Sequence, residues 1–214
     1  MKILAFADVH DRFDKVTAVL QRVRPVDVAL IAGDLTTNGT PADVERALAA
    51  WLPLVPHLFA VAGNMDSPQI DQALERLGVS LNGCCRRAGS LTFFGCSAAP
   101  ISIGTPYEIP ESEIAARIER GFAQAQGARP MVFVPHAPPH GCVDLTWSRT
   151  HAGSRAVSDF IQRAQPALVV CGHIHEARGQ QRLGGSLVVN CGPAARGHYA
   201  LIDLDEHSCR AELV

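Results

Sequence analysis

Five short apolar runs of this chain each stop at an acidic, amide or imidazole side chain. Lys2–Ala7 ends in Asp8-Val9-His10, Asp27–Ala32 in Gly33-Asp34, and Leu58–Ala62 in Gly63-Asn64-Met65-Asp66. Met131–Val134 ends in Pro135-His136, and Leu168–Cys171 in Gly172-His173-Ile174-His175. The runs are rich in Val, Ile, Leu and Phe without strict alternation, which is how strands covered on both faces read. Amphipathic stretches separate them. Phe13, Val16, Val19, Leu20 and Val23 form one helical stripe, and Val44, Ala47, Leu48 and Trp51 form a second that opens at Thr40-Pro41. Ile114, Ile118 and Phe122 mark a third, and Val157, Phe160, Ile161 and Ala164 a fourth. This alternation predicts an α/β fold with a mostly parallel sheet and helices on its faces.

The last quarter reads as strand pairs instead. Arg178–Leu183 and Ser186–Asn190 flank Gly184-Gly185, and His198–Asp203 and Ser208–Leu213 flank Asp205-Glu206-His207. Arg86–Ala88 and Leu91–Cys96 form a further hairpin about Gly89-Ser90. A second, partly antiparallel sheet packed on the first is expected. No linker or repeat divides residues 1–214, so a single domain is expected.

At the carboxyl ends of parallel strands loops converge and ligands bind. The residues delivered there are Asp8, His10, Asp34, Asn64, His136, His173 and His175. All offer oxygen or imidazole nitrogen. Seven such donors exceed one tetrahedral zinc and suit two cations of higher coordination number sharing a carboxylate. Asp-x-His and His-x-His set alternate side chains on one side of an extended segment. Singly, each of these residues is an ordinary cap, turn or loop residue; their placement after five consecutive strands is what points to metal chemistry.

The ordered blocks Asp8/His10, Gly33-Asp34, Gly63-Asn64, His136 and Gly172-His173-Ile174-His175 resemble the calcineurin-like metallophosphoesterase superfamily over roughly residues 1–193. The resemblance implies a four-layer α/β/β/α sandwich, two mixed sheets flanked by helices. It also implies that Asp8, His10 and His175 hold one divalent ion, that Asn64, His136 and His173 hold the other, and that Asp34 bridges them as the catalytic centre's shared carboxylate. The ions would be Mn²⁺, Fe²⁺ or Fe³⁺, Ni²⁺, Co²⁺ or Zn²⁺. The implied reaction is in-line attack on phosphorus by a metal-bridging hydroxide.

Met65 departs from the family pattern, which has a proton-donating His after the Asn. Met has no proton to give. Phosphodiesters and activated monoesters, whose leaving groups need least protonation, are therefore the expected substrates. Asp66 would orient such a His or serve as an acceptor at a helix entry. The long segment Ala137–Gly153 supplies His140 and His151 as alternative catalytic proton donors, and Arg149 or His151 as contacts to phosphate. Glu176 is expected to hydrogen-bond a metal-held imidazole or to stand on the surface. Phosphomonoesterase or protein phosphatase action, and a low-turnover metal-bound nucleotide-sensing module, are the rival functions.

Composition narrows the field. The net charge is −2, so a long nucleic acid is not an expected partner; a small phosphate ester is. Seven Cys without a C-x-x-C pair argue for reduced thiols rather than a disulfide framework, and adjacent Cys84-Cys85 lacks a base to activate it. Only Lys2 and Lys15 are lysines, and no phosphate-binding Gly-x-x-x-x-Gly-Lys loop or Gly-x-Ser-x-Gly elbow occurs. No apolar stretch approaches the length of a membrane span, and Asp8 interrupts the first run too early for a leader. A cytoplasmic protein with no membrane partner is expected; nothing in the sequence addresses oligomeric state.

Overall fold

The computed structural model describes residues 1–214. Its first sheet is built from β1 (Lys2–Phe6), β2 (Val28–Ala32) and β3 (His57–Val61), parallel to one another. Two helices connect them, α1 (Phe13–Arg22) and α2 (Pro41–Trp51). Thr40 caps α2 in a capping box with Asp43, and Pro41 opens its first turn. A third helix, α3 (Pro68–Arg76), follows β3. It opens at Ser67-Pro68, the helix entry that one reading of Asp66 places there, and Ile70, Ala73 and Leu74 form its buried stripe.

The second sheet contains β4 (Cys85–Ala88), β5 (Leu91–Cys96), β8 (Met131–Pro135), β9 (Leu168–Cys171), β10 (Gly179–Leu183) and β11 (Ser186–Asn190). Short β6 (Ala99–Pro100) and β7 (Glu108–Ile109) pair between β5 and α4 (Glu111–Ala125), and α5 (Arg155–Ala164) follows β8. The chain returns to the first sheet with β12 (Ala200–Leu204) and β13 (Cys209–Leu213). Strand order is β13-β12-β1-β2-β3 in one sheet and β10-β11-β9-β8-β5-β4 in the other.

Two sequence expectations need correction. The five ligand-bearing strands do not share one sheet edge: β1, β2 and β3 lie in the first sheet, β8 and β9 in the second. The second, partly antiparallel sheet is present and includes the β4–β5 hairpin, but it does not take all the strands of the last quarter. The β10–β11 hairpin extends the second sheet, and β12 pairs antiparallel with β1. Hydropathy reveals that a strand is covered on both faces, but not which neighbour covers it.

Alternation of side chains separates the layers. Ile3, Ala5, Val28, Leu30 and Val61 pack with Phe93, Val132, Val134, Val170 and Val189 between the sheets. Leu4, Phe6 and Ile31 belong instead to the core that includes Val16, Leu20, Leu48 and Trp51 of the helices. On the far side Phe94, Phe133 and Val169 pack with Ile118, Phe160 and Ile161. The result is a four-layer α/β/β/α sandwich.

Phe133 lies fully buried, with its ring centroid 5.1 Å from Phe94 and 5.0 Å from Phe160. Phe133→Ala should lower the free energy of unfolding by about 3–5 kcal/mol, measured by urea titration, because the cavity is walled by Phe94 of β5 and Phe160 of α5, both held in packed elements, and cannot collapse.

Candidate metal centre

Backbone pairing of β1 with β2 continues past both strands. Asp8 N–H donates to Gly33 O at 3.0 Å and His10 N–H to Asp34 O at 2.9 Å, which sets Asp8 beside Asp34. On the other sheet His136 N–H donates to Cys96 O and Gly172 N–H to His136 O, which aligns His136 with the His173–His175 segment. The two sheets then meet closely. A Cβ on Gly33, whose φ is +90°, would overlap the His136 ring, and one on Gly172 would overlap Asp8 Oδ2. Only glycine fits these approaches. Asp8, His10, Asp34 and His173 themselves have positive φ, a concentration of backbone strain that marks functional sites in general.

All seven residues converge. His10 Nε2 lies 3.2 Å from His175 Nε2 and 3.8 Å from Asp34 Oδ2. His175 Nε2 is 3.5 Å from Asp8 Oδ1. On the other side of Asp34, Oδ1 lies 3.5 Å from His136 Nε2. Asn64 Oδ1 lies 2.9 Å from His136 Nε2 and 2.7 Å from His173 Nδ1. Two groups result, joined by the two oxygens of Asp34. His136 and Asp8 are fully buried, while His10 and His175 keep partial access to solvent.

The donor chemistry fits cations. Ala32 O, 2.8 Å from His136 Nδ1, can only accept, so Nδ1 carries the ring proton. Burial lowers the His136 pKa, leaving the ring neutral with a lone pair on Nε2. Asn64 directs its N–H to Thr105 Oγ1 at 3.0 Å, so its oxygen faces the imidazoles. Lone pairs on Nε2 and Oδ1 thus point at each other without a proton between them, an arrangement a cation relieves. Burial, followed by the charge of Asp8, raises the Asp34 pKa well above the usual carboxylate range. Burial, above all, pushes His173 down to about 3. The bond to Asp8 raises the His175 pKa instead, and crowded buried carboxylates beside three imidazoles held neutral are the environment a dication stabilises.

Asp66 has a different job from either of those read in the sequence. Ser67 opens α3 without a side-chain cap. The buried Asp66 carboxylate instead accepts from Gly63 N–H at 2.8 Å, Leu35 N–H at 3.0 Å and Thr36 N–H at 2.9 Å. It ties the loop after β2 to the loop after β3. Met65 donates its backbone N–H to Asp34 Oδ1 at 2.8 Å.

In the segment after β8, His151 Nδ1 lies 2.6 Å from Asp144 Oδ1. Asp144 is buried and also accepts from Gly141 and Gly153 N–H. The His140 ring centroid is 5.6 Å from that of His151, and neither ring bonds to the seven converging residues. Arg149 is exposed in a turn closed by its N–H to Thr146 O. Glu176 bonds no imidazole; its carboxylate accepts from Trp147 N–H at 2.9 Å, fastening the segment beside His175. Asn190, missed in the sequence because it closes an ordinary strand, donates to Val143 O and Ile174 O and completes that attachment. All seven cysteines are free, and burial raises the pKa of Cys84 and Cys85.

Such a fold and donor set define a binuclear-type phosphoesterase scaffold, and the family model for calcineurin-like phosphoesterases matches residues 1–177. The chain belongs to that family and is a metal-dependent hydrolase of phosphate esters. It is 27% identical to an uncharacterised protein of Methanocaldococcus jannaschii over 200 residues, 90% of this chain and 88% of that one. It is 24% identical to the human metallophosphoesterase domain-containing protein 1, covering 88% of this chain and 65% of the relative. Among solved structures, a Thermus thermophilus protein superposes with TM-score 0.77 at 18% identity over 99% of this chain and 97% of the other. A dimetal phosphatase of Danio rerio does so with TM-score 0.68 at 14% identity over 100% and 95%. No helix is long and apolar enough to cross a membrane.

Asp66→Ala would orphan three buried N–H groups at about 1–3 kcal/mol each. We expect a loss of about 3–5 kcal/mol in unfolding free energy, after partial relief by water, together with weaker metal uptake. Urea titration of metal-free protein and metal titration check the two parts separately.

Proposed function

We propose that this chain hydrolyses small phosphodiesters, or monoesters with good leaving groups, at two divalent ions. Asp8, His10 and His175 would hold one ion, Asn64, His136 and His173 the other, and Asp34 both. The observation that supports this most is the division of Asp34, one oxygen toward His10 and the other toward His136. Bound ions of this kind lower the pKa of water and neutralise charge on phosphoryl oxygens.

The side chains have distinct tasks. His10 Nδ1 lies 2.8 Å from Thr37 Oγ1, which fixes the ring with Nε2 toward the centre. His173 N–H donates to Asp8 at 3.0 Å, so Asp8 and the second imidazole pair move as one unit. Met65 holds Asp34 through its backbone but brings no proton to a departing alcohol. A leaving group must then depart with its own negative charge, which favours aryl esters and diesters.

One observation supports a second reading, phosphomonoester hydrolysis with an acid from elsewhere. Asp144 fixes His151 with its Nδ1–H engaged and Nε2 free to carry a proton, with His140 adjacent. Phosphate binding by Arg149 and substrate contact by His151 belong to the same proposal.

Two measurements test these readings. Asp34→Asn removes a negative charge shared between two dications, and turnover should fall by at least about 10²-fold at limiting metal, more than loss of an outer partner causes. Wild-type turnover in that variant would sink the assignment of the bridge. Rates over a series of substituted phenyl and alkyl phosphates should depend steeply on leaving-group pKa, since general acid assistance worth about 10²–10⁴-fold is missing. A shallow dependence that becomes steep in His151→Ala, but not in His140→Ala, would establish the second reading.

A further inference from the structure

The segment joining β6 to β7 is organised around one carboxylate. Glu108 accepts from the backbone N–H groups of Ser102, Ile103, Gly104 and Thr105 at 2.8, 3.2, 3.1 and 3.1 Å. It also accepts from the hydroxyls of Ser102 at 3.0 Å and Thr105 at 2.8 Å. Burial opposes its charge, but these donors outweigh burial and bring its pKa down to about 2. Glu108 is therefore a carboxylate, and a carboxylate only accepts.

That fact propagates in one direction. Thr105 has a single hydroxyl proton, and it goes to Glu108. The hydroxyl oxygen is left to accept, and what it accepts is an N–H of Asn64 at 3.0 Å. An Asn side chain is nearly symmetric in shape, so only its neighbours decide which end faces where. With the NH₂ committed to Thr105, Oδ1 faces His136 Nε2 and His173 Nδ1. Tyr107 N–H donates to Asn64 O at 2.9 Å and holds the backbone of the same residue. Tyr107 is itself anchored by its hydroxyl on buried Asp71 at 3.0 Å.

We infer that Thr105, polarised by Glu108, is a positioning residue that sets the amide of Asn64 with its oxygen toward the second cation position. The inference rests on the reading that Asn64 holds an ion there. A donated proton at one end of the amide also raises the electron density at the other, which strengthens Oδ1 as a ligand. Thr105 is not among the residues that the sequence brings to the centre, because it lies 41 positions beyond Asn64 in a segment with no metal-ligating residue.

The test is titration of metal-free protein with Mn²⁺, followed by calorimetry. Wild type should bind two ions. Thr105→Val, similar in shape but unable to accept, should weaken one of them by about 10–100-fold, the usual effect of losing an outer hydrogen bond to a ligand, and leave the other unchanged. Thr105→Ser keeps the hydroxyl and should bind as wild type does. Urea midpoints of the metal-free variants show whether the segment stays folded; Thr105→Ser separates loss of the hydroxyl from general loosening. Unaltered binding of both ions by Thr105→Val would overturn the inference, as would equal weakening in Thr105→Val and Thr105→Ser. Asn64→Ala tells the two levels apart. If it loses one ion while Thr105→Val loses none, only the role of Thr105 falls. If it keeps both, the ligand role of Asn64 falls, and that of Thr105 with it.

Discussion

The close approach of two sheet edges is the constraint on which the rest depends. The ring of His136 lies where a side chain on residue 33 would be, and the carboxylate of Asp8 where one on residue 172 would be. Without those contacts the first sheet would carry Asp8, His10, Asp34 and Asn64, and the second His136, His173 and His175, as separate loop residues. The inter-sheet core from Ile3 to Val189 fixes the spacing of the layers, and the glycines let the backbone use it. Close packing in that core transmits its geometry to the site, because interiors of this density deform little.

A second constraint follows from charge. Asp8 and Asp34 are both buried, and burial with mutual repulsion makes Asp34 hard to ionise by itself. Burial lowers the pKa of His10, His136 and His173, so these rings stay neutral; His175 is raised by its bond to Asp8, and one such imidazole does not offset two carboxylates. Compensation by an outside positive charge is what makes such a cluster stable. The backbone at Asp8, His10, Asp34 and His173 carries positive φ as well. Strain of this kind, on the order of 1–3 kcal/mol per residue, persists where surrounding contacts over-determine it.

Much of this was legible in the sequence, and the parts that were not share a physical reason. Apolar runs located β1, β2, β3, β8 and β9, and the residues just past them are the seven that converge, because both depend on local order along the chain. The capped start of α2 at Thr40-Pro41 was local too. The partition of strands between sheets was not, since the residues of β1 are covered by the other sheet on one face and by helices on the other, and hydropathy is the same for either cover. Asp66, Asn190 and Glu176 were misread or missed for a related reason. Their partners lie 31, 16 and 29 positions away, and nothing in a carboxylate's or an amide's neighbours along the chain says which distant N–H or carbonyl it will meet.

Met65 shows how the two kinds of information combine. The family pattern makes its side chain look like a loss, a proton donor replaced by a thioether. Its backbone tells otherwise: the N–H at this position holds Asp34 Oδ1, a contact any residue except proline can supply. Asp66 likewise keeps its place without a histidine to orient, because its carboxylate joins the loops after β2 and β3. The position can therefore change its side chain without disturbing the geometry that gathers the cation-binding groups. On the proposed reading, substitution at residue 65 would alter how a leaving group is treated while the backbone contact to Asp34 stays, which would separate the choice of substrate from the architecture that binds it.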